Sequence, residues 1–468
     1  MEPKDFTGLS GDGYDKVIEK VKDASPQPKK VPTETLLQLD PKEHDVMKPG
    51  KRKDKIKKVE EEDGTKTQTI VPVARLPIAL QKLIVRRAAA FLCGNPITLV
   101  AQPDGDDQSD FLELLKKVWD DNKLDYESLE LAKKMMGETQ CAELWYYVPA
   151  EPGYWGEGPN NKAKNKMRVK VLAPSLGDLL YPVYDTTGDM IAFGRGFNIK
   201  VDQKDEEHFD LYTAERIYYG KKGPTNWEVK AEPNLFKKIP VIYWTQGVPE
   251  WYDVEELIGG LETVVSNTRD TNAYFASPMV VLSGQVSGLG DKEDQGKVIQ
   301  TENGGEAKYL TWDNAPEATK FEYQNLKSLI FEMTDTPDIS FEAMKGVNTF
   351  SGIALKMLFL GAHLKAAEKE GTFGKGVQRR INFLKAGLVT INGNLEKASS
   401  MTIKPKFEYY LPKNDQEAIE VLTTAVGSGK AIMSQEAAVR QNPLVGDAEA
   451  ELEQMKEEGS LGSDIEAS

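Results

Sequence analysis

The stretch from 337 to 395 constrains the fold most, because a proline stop and an irregular segment precede an exceptionally long helical pattern. Pro337 cannot continue a helix, since proline has no amide donor. Residues 338–350 follow neither a helical nor a strand period. From residue 351 to 391 apolar residues recur at helical spacing, which predicts about 40 residues of helix, or about 60 Å if straight. The apolar positions are Ile353, Met357, Leu358, Leu360, Leu364, Phe373, Val377, Ile381, Leu384, Leu388 and Ile391.

Three glycines, Gly371, Gly374 and Gly376, fall close together inside this helix. Each glycine costs about 1 kcal/mol relative to alanine in a helix interior, so the group favours a bend by about 3 kcal/mol. One interpretation is an ordinary long helix with a glycine break. The other is a loop that two helices present at a defined place in a larger assembly.

Length and composition exclude several classes of protein. A chain of 468 residues is long enough for two or three cores. We expect no secretion or membrane insertion, because the N-terminus lacks a signal pattern and no run of about 18 apolar residues occurs. Cys93 and Cys141 are the only cysteines, which favours a reducing compartment without a disulfide framework. With only three scattered histidines, we expect no metal site and no cofactor.

The net charge is −15, and residues 413–468 contribute strongly, with 12 acidic and 4 basic residues. An acidic protein is a poor candidate for tight non-specific binding of phosphates. The same charge would suit a surface past which DNA slides without adhering. It would equally suit a protein that simply stays soluble.

Residues 1–70 are predicted to form a weakly ordered arm. A basic run is followed directly by Glu60, Glu61, Glu62 and Asp63, which is typical of a solvated tail. A nucleic-acid contact is the alternative. The basic residues are Lys48, Lys51, Arg52, Lys53, Lys55, Lys57 and Lys58.

Residues 71–250 predict an antiparallel β-rich region packed on helices, and hence an α+β fold. The predicted helices span 78–92 and 111–136. The predicted strands span 97–102, 141–148, 168–172, 179–184, 190–201, 209–219 and 239–244.

A further helix is predicted over 254–276, and its apolar stripe ends after Val265. The remainder is polar all round, so it either projects from its core or packs through polar contacts. A compact insertion over 278–316 follows, with strands at PMVVLSG and AKYLTW and loops at 288–294 and 303–305. A helix over 323–334 leads back to Pro337.

These segments resemble the siphophage-type portal proteins of tailed bacteriophages. The resemblance rests on KIPVIYW, EELIGGLETVVSNTRDTNAYFASPMVVLSG, TDTPDISFEAMKG, NTFSGIALKMLFLGAHLKAAEKE and IKPKFEYYLPKND, which occur in the same order. Its most specific part is PDISFEAMKG followed by SGIALK. It covers most of residues 70–460.

The resemblance implies a portal fold arranged as a dodecameric ring around a DNA channel. A β-rich wing would span 71–250, and two stem helices 251–276 and 317–338. A small mixed α/β clip would span 277–316, and a tunnel loop 339–350. The long kinked helix and a wing strand would span 351–412, a helical crown 413–459 and a flexible tail 460–468.

The resemblance also implies a structural, non-enzymatic role in the virion, after synthesis in the host cytoplasm. Double-stranded DNA would pass non-specifically through the channel, packaged by the terminase and later ejected. Partners would be the terminase large subunit, head-completion or adaptor proteins and the major capsid protein. The tunnel loop would act on DNA through Phe341, Lys345, Asn348, Thr349 and Phe350. The clip would dock partners through Asp291, Lys292, Glu293 and Asp294. The stem would contact neighbouring subunits through Asn267, Arg269, Asp270 and Asn272.

Two other functions are considered. Gly427, Ser428, Gly429 and Lys430 resemble the end of a phosphate-binding loop, but Thr424 stands where the first glycine should be. Ala431 also replaces the magnesium-binding hydroxyl residue, so the enzyme hypothesis fails. Another capsid-associated structural protein, such as an adaptor or minor head protein without a DNA channel, remains an alternative.

Overall fold

The computed structural model describes residues 6, 8–9, 13–26, 32–60, 66–156, 163–275, 279–289, 299–310, 315–340, 357–409, 415–427 and 431–458. The chain divides into two compact units. The first unit comprises Met1–Thr336 and Lys365–Tyr409, and the second comprises Pro337–Leu364 and Tyr410–Ser468.

The α-helices are α1 Tyr14–Ala24, α2 Pro32–Leu39, α3 Leu80–Cys93, α4 Asp106–Asp121, α5 Leu124–Glu138, α6 Glu255–Phe275, α7 Ala315–Met333, α8 Leu360–Ile391, α9 Asp415–Val426, α10 Gln435–Gln441 and α11 Ala448–Glu457. The strands are β1 Lys55–Glu60, β2 Lys66–Val71, β3 Thr98–Ala101, β4 Gln140–Pro149, β5 Asn165–Leu172, β6 Leu179–Tyr184, β7 Met190–Val201, β8 Lys204–Tyr212, β9 Arg216–Lys222, β10 Trp227–Pro233, β11 Val241–Thr245, β12 Met279–Leu289, β13 Ile299–Leu310 and β14 Ile403–Lys406.

The strands pair antiparallel throughout the described residues, as expected for an α+β fold. A five-stranded sheet has the order β10-β9-β8-β7-β6, and a three-stranded sheet has the order β11-β4-β5. The late strand β14 pairs with the early strand β3, with Ile403 opposite Ala101. Two hairpins, β1–β2 and β12–β13, complete the pairing.

The main core of the first unit collects α3, α4, α5, the three-stranded sheet and the part of α8 from Lys365 onward. In α8 the buried side chains recur at the predicted helical spacing: Phe373, Val377, Ile381, Leu384 and Leu388. The helix therefore buries one apolar stripe in this core.

The weakly ordered arm predicted over 1–70 is wrong for the described residues. Helix α1 buries Tyr14, Ile18 and Val21 against the five-stranded sheet, and the Tyr14 hydroxyl donates to the Phe209 carbonyl oxygen at 3.1 Å. An 11-residue helix gains its stability from such packing rather than from its own propensity. The sequence did not predict this helix, because charged residues separate its three buried apolar positions.

Several predicted elements are divided differently. The single helix over 111–136 is two helices, α4 and α5, separated at Lys123, whose φ of 52° is left-handed. The strand over 209–219 is two strands, β8 and β9. In the turn between them, the amide and the hydroxyl of Thr213 both donate hydrogen bonds to the Arg216 carbonyl oxygen. Strand β10 was not predicted. The loop predicted over 303–305 belongs to β13, and the region 413–459, predicted to be a helical crown, contains α9, α10 and α11.

Helix α8 continues without interruption through its three glycines. A Cβ atom at Gly376 would overlap the indole of Trp244, and one at Gly374 would lie 3.4 Å from the Phe407 ring. These two glycines therefore permit close packing of aromatic rings on the helix. A bend at this point stays a prediction.

Candidate functional site

The second half of α6 contacts the chain's own N-terminal segment. The Asp270 carboxylate accepts hydrogen bonds from the Ala74 amide at 2.7 Å and from Arg52 at 2.8 Å. The Arg52 guanidinium also donates to Asn267 Oδ1 at 2.9 Å and to the Ala74 carbonyl oxygen at 2.7 Å. Asn267 and Asp270, which we expected between subunits, are thus engaged within one chain.

The same network closes the base of the β1–β2 hairpin. The Arg75 guanidinium donates to the Arg52 carbonyl oxygen at 2.9 Å and to Asp54 at 2.8 Å. The Asp54 carboxylate also accepts from the Val73 amide at 3.1 Å. Both strands of the hairpin are therefore fixed to α6 through charge-assisted hydrogen bonds.

Two further side chains of α6 continue this contact toward its N-terminus. Ser266 Oγ accepts from the Leu76 amide at 3.0 Å, and Glu262 Oε1 accepts from the Ile78 amide at 2.8 Å. Glu262, Ser266 and Asp270 are four residues apart, so they lie on one face of the helix. The prediction that α6 is polar all round after Val265 therefore missed this face, which the four-residue spacing of Glu262, Ser266 and Asp270 in the sequence indicates.

His44 forms a buried ion pair with Glu262. Its Nδ1 lies 2.6 Å from Glu262 Oε1, and its Nε2 lies 2.8 Å from the Gln38 carbonyl oxygen. Both partners accept, so both ring nitrogens donate and the ring is an imidazolium. Burial favours the neutral ring, but the hydrogen bond and charge of Glu262 outweigh burial and raise the pKa of His44.

The other two residues predicted on the stem, Arg269 and Asn272, are exposed. They line a groove of about 480 Å³. The other residues that line this groove come from α6, from α7 and from the segment before α3, and all but Lys320 are uncharged. They are Leu76, Val264, Val265, Thr268, Thr319, Lys320 and Tyr323.

A second cluster, the Glu250 cluster, joins the segment between β11 and α6, the residue that follows α7 and the first unit's part of α8. The buried Glu250 carboxylate contacts Lys365 Nζ at 2.8 Å and Lys369 Nζ at 2.6 Å. Lys365 Nζ also donates to the Thr334 carbonyl oxygen at 2.8 Å. Burial favours protonation of Glu250, but the two ammonium groups outweigh burial and lower the pKa of the carboxyl.

This cluster fixes the chain on both sides of the predicted tunnel loop. Thr334 precedes the loop by five residues, and Lys365 follows it by fifteen. The sequence gives no signal for Lys365 and Lys369, because they occupy ordinary polar positions of an amphipathic helix. Their acidic partner lies more than 100 residues away in the chain.

The remaining predicted site residues lie outside the described residues. They are the tunnel-loop residues Phe341, Lys345, Asn348, Thr349 and Phe350, and the clip residues Asp291, Lys292, Glu293 and Asp294. The described part of the clip region is the β12–β13 hairpin, which lies between α6 and α7 in the chain.

Within the ranges that the structure describes, no group of three or more histidine, cysteine or acidic residues is placed to hold a metal ion. No helix in those ranges is long and apolar enough to cross a membrane. Cys93 and Cys141 are both buried and free.

Comparisons with known proteins identify the family. Residues 42–461 match the model of the family described as phage portal protein, SPP1 Gp6-like. The portal protein of Bacillus phage SPP1 is 24% identical over 423 residues, which cover 85% of this chain and 77% of that protein. A solved structure described as the neck of an empty GTA particle computed with C6 symmetry is 12% identical, with a TM-score of 0.41 over 77% of this chain and 88% of that chain. Because the family model matches most of the chain, the chain belongs to the SPP1 Gp6-like phage portal proteins.

Proposed function

We propose that this portal protein forms a dodecameric ring at one capsid vertex and surrounds the channel through which DNA is packaged and later ejected. The family match over residues 42–461 carries this proposal. In the virion, the ring binds the major capsid protein through its wing. The terminase supplies the energy of packaging, and the ring serves as a passive conduit without cofactors.

In this assembly, α6 and α7 form the stem, and residues 277–316 form the clip. Asp291, Lys292, Glu293 and Asp294 dock the terminase large subunit and later the head-completion or adaptor proteins. The acidic and basic side chains suit a partner that must bind and later leave, because exposed ion pairs contribute only about 0–1 kcal/mol each.

Residues 339–350 form the tunnel loop that faces DNA. Lys345 contacts phosphates transiently, and Asn348 and Thr349 hydrogen-bond the backbone without reading sequence. Phe341 and Phe350 hold the loop against its neighbour. The Glu250 cluster supports this proposal, because Lys365 Nζ contacts both the Glu250 carboxylate and the Thr334 carbonyl oxygen, which gives a loop between Thr334 and Lys365 defined ends.

The proposal is tested by reversing one charge of the loop. Lys345→Glu is expected to leave ring assembly intact and to reduce the nuclease-protected DNA per particle. Lys82→Glu, an exposed lysine of α3, is the matched control and should package normally. Normal packaging by Lys345→Glu would remove Lys345 from the mechanism.

A further inference from the structure

The β1–β2 hairpin presents exposed side chains on both of its faces. Lys55, Ile56, Lys57 and Lys58 of β1 are exposed, as are the last four residues of β2. Ile56 and Ile70 stand opposite each other in the register, with 62% and 69% of their surface exposed. A two-stranded hairpin is marginally stable alone, so a partner that covers the isoleucine pair would stabilise it.

The hairpin is nevertheless held in a defined place. Its base is fixed to α6 by the network of Arg52, Asp54, Arg75 and Asp270. An exposed element with a fixed base binds a partner at a low cost in conformational entropy. We call this element the hairpin arm, residues 55–60 and 66–71.

The two strands of the hairpin arm carry a net positive charge, which favours an acidic partner: they contain Lys55, Lys57, Lys58 and Lys66 but only one acidic residue, Glu60. Lys58 lies on the same face as Ile56, and Lys55 and Lys57 lie on the opposite face. The apolar pair Ile56 and Ile70 also favours a protein surface over a phosphate backbone.

One face of α7 has the complementary properties. Phe321, Leu329 and Met333 recur at helical spacing and are exposed by 66%, 44% and 55%. The exposed acidic residues on this face are Glu317, Glu322 and Glu332. Lys320 and Lys327 point to other sides of the helix. The packed face of α7 is a different one, where Ile330 and Phe331 are buried.

We propose that the hairpin arm of one copy of this chain packs on the exposed face of α7 of the next copy. The proposal rests on the ring proposed above. A ring is built from a heterologous interface, in which two different surfaces of the same chain meet. Ile56 and Ile70 cover the apolar residues of α7, and Lys58 pairs with its glutamates.

Cysteine pairs test this contact in the full-length chain. Ile56→Cys is combined in turn with Phe321→Cys, Leu329→Cys or Met333→Cys, and mild oxidation follows. At least one pair is expected to give a ladder of linked chains on a non-reducing gel. Unintended disulfides from the native cysteines should be few, because Cys93 and Cys141 are buried. The matched controls are each single variant and the pair of Thr69→Cys with Leu329→Cys, since Thr69 lies on the opposite face of the arm; none should give a ladder.

A charge exchange provides the second measurement. Lys58→Glu is expected to reduce the yield of rings at low salt at least tenfold, and Lys58→Glu with Glu322→Lys and Glu332→Lys is expected to restore it. Rings of the wild-type chain without a ladder from any of the three pairs would overturn the arm proposal alone. Loss of DNA binding by Lys58→Glu with unchanged rings would assign the arm to nucleic acid and overturn it as well. A wild-type chain that forms no ring even after addition of the major capsid protein would contradict the proposed function itself.

Discussion

Arg380 of α8 and Glu143 of β4 form an ion pair in which neither side chain has any solvent exposure. Two hydrogen bonds of 2.5 and 3.0 Å join guanidinium and carboxylate, and Ser128 Oγ accepts a third from Arg380 at 2.8 Å. The rings of Trp119 and Trp244 lie 5.3 and 5.4 Å from the guanidinium carbon. The long helix is thereby fixed to the central strand of the three-stranded sheet.

Removal of one partner of this pair should destabilise the first unit strongly. Arg380→Met leaves a buried, unpaired carboxylate, so we expect a loss of about 3–5 kcal/mol in the free energy of unfolding. Urea unfolding measures this loss. Arg379→Met, an exposed neighbour, should change stability by less than about 0.5 kcal/mol. Equal effects of the two variants would show that the pair does not hold the helix.

The glycines of α8 should differ sharply in their response to alanine. Gly376→Ala forces a Cβ into the Trp244 indole, whose Nε1 donates to the Phe373 carbonyl oxygen at 3.1 Å. We expect a loss of about 1–3 kcal/mol or more from this overpacking.

Gly371→Ala is the matched control, because no atom lies within 4 Å of the added Cβ. It should stabilise the helix by up to about 1 kcal/mol. Thermal unfolding measures both variants. Stabilisation by Gly376→Ala would contradict the close packing.

The His44–Glu262 pair should make stability depend on pH. The folded-state pKa of His44 is raised above its unfolded value of about 6.5. Its contribution is therefore fully present below about pH 6.5 and is lost as the pH rises through the folded pKa. The difference in melting temperature between the wild type and His44→Gln should shrink as the pH rises above about 6.5. A difference that is constant across this range would refute the imidazolium assignment.

The two lysines of the Glu250 cluster should contribute unequally. Lys365→Met removes one cation from the buried carboxylate and also the donor to the Thr334 carbonyl oxygen. We expect a loss of about 3 kcal/mol. Lys369→Met keeps the Thr334 contact and should cost about 1–2 kcal/mol less. Chemical unfolding compares them; a greater cost for Lys369→Met would mean that Thr334 is not held through Lys365.

Regular periods made parts of the fold predictable. Strands β6 and β7 have the predicted bounds, because apolar residues there are flanked by clear turn signals. The buried positions of α8, such as Val377 and Leu384, follow the helical period. Such patterns are local, so a single sequence suffices to read them.

Contacts between distant residues were not predictable. Arg52 and Asp270 are 218 positions apart, and Tyr14 and Phe209 are 195 apart. The basic run containing Arg52 has the composition of a solvated tail, and nothing in it indicates that Asp270 pairs with one of its members. Gly376 likewise makes room for the Trp244 indole beside α8, a contact that helix propensity does not reveal, since propensity alone predicted a bend. The roles of Lys345 and of the clip residues stay predictions.

The most direct test of the central claim is electron microscopy of the purified protein, with class averages inspected for rotational symmetry. We predict closed rings of about twelve subunits around an open channel, since a heterologous interface closes into a cyclic ring. Particles that remain monomers or dimers after addition of the major capsid protein would contradict the ring.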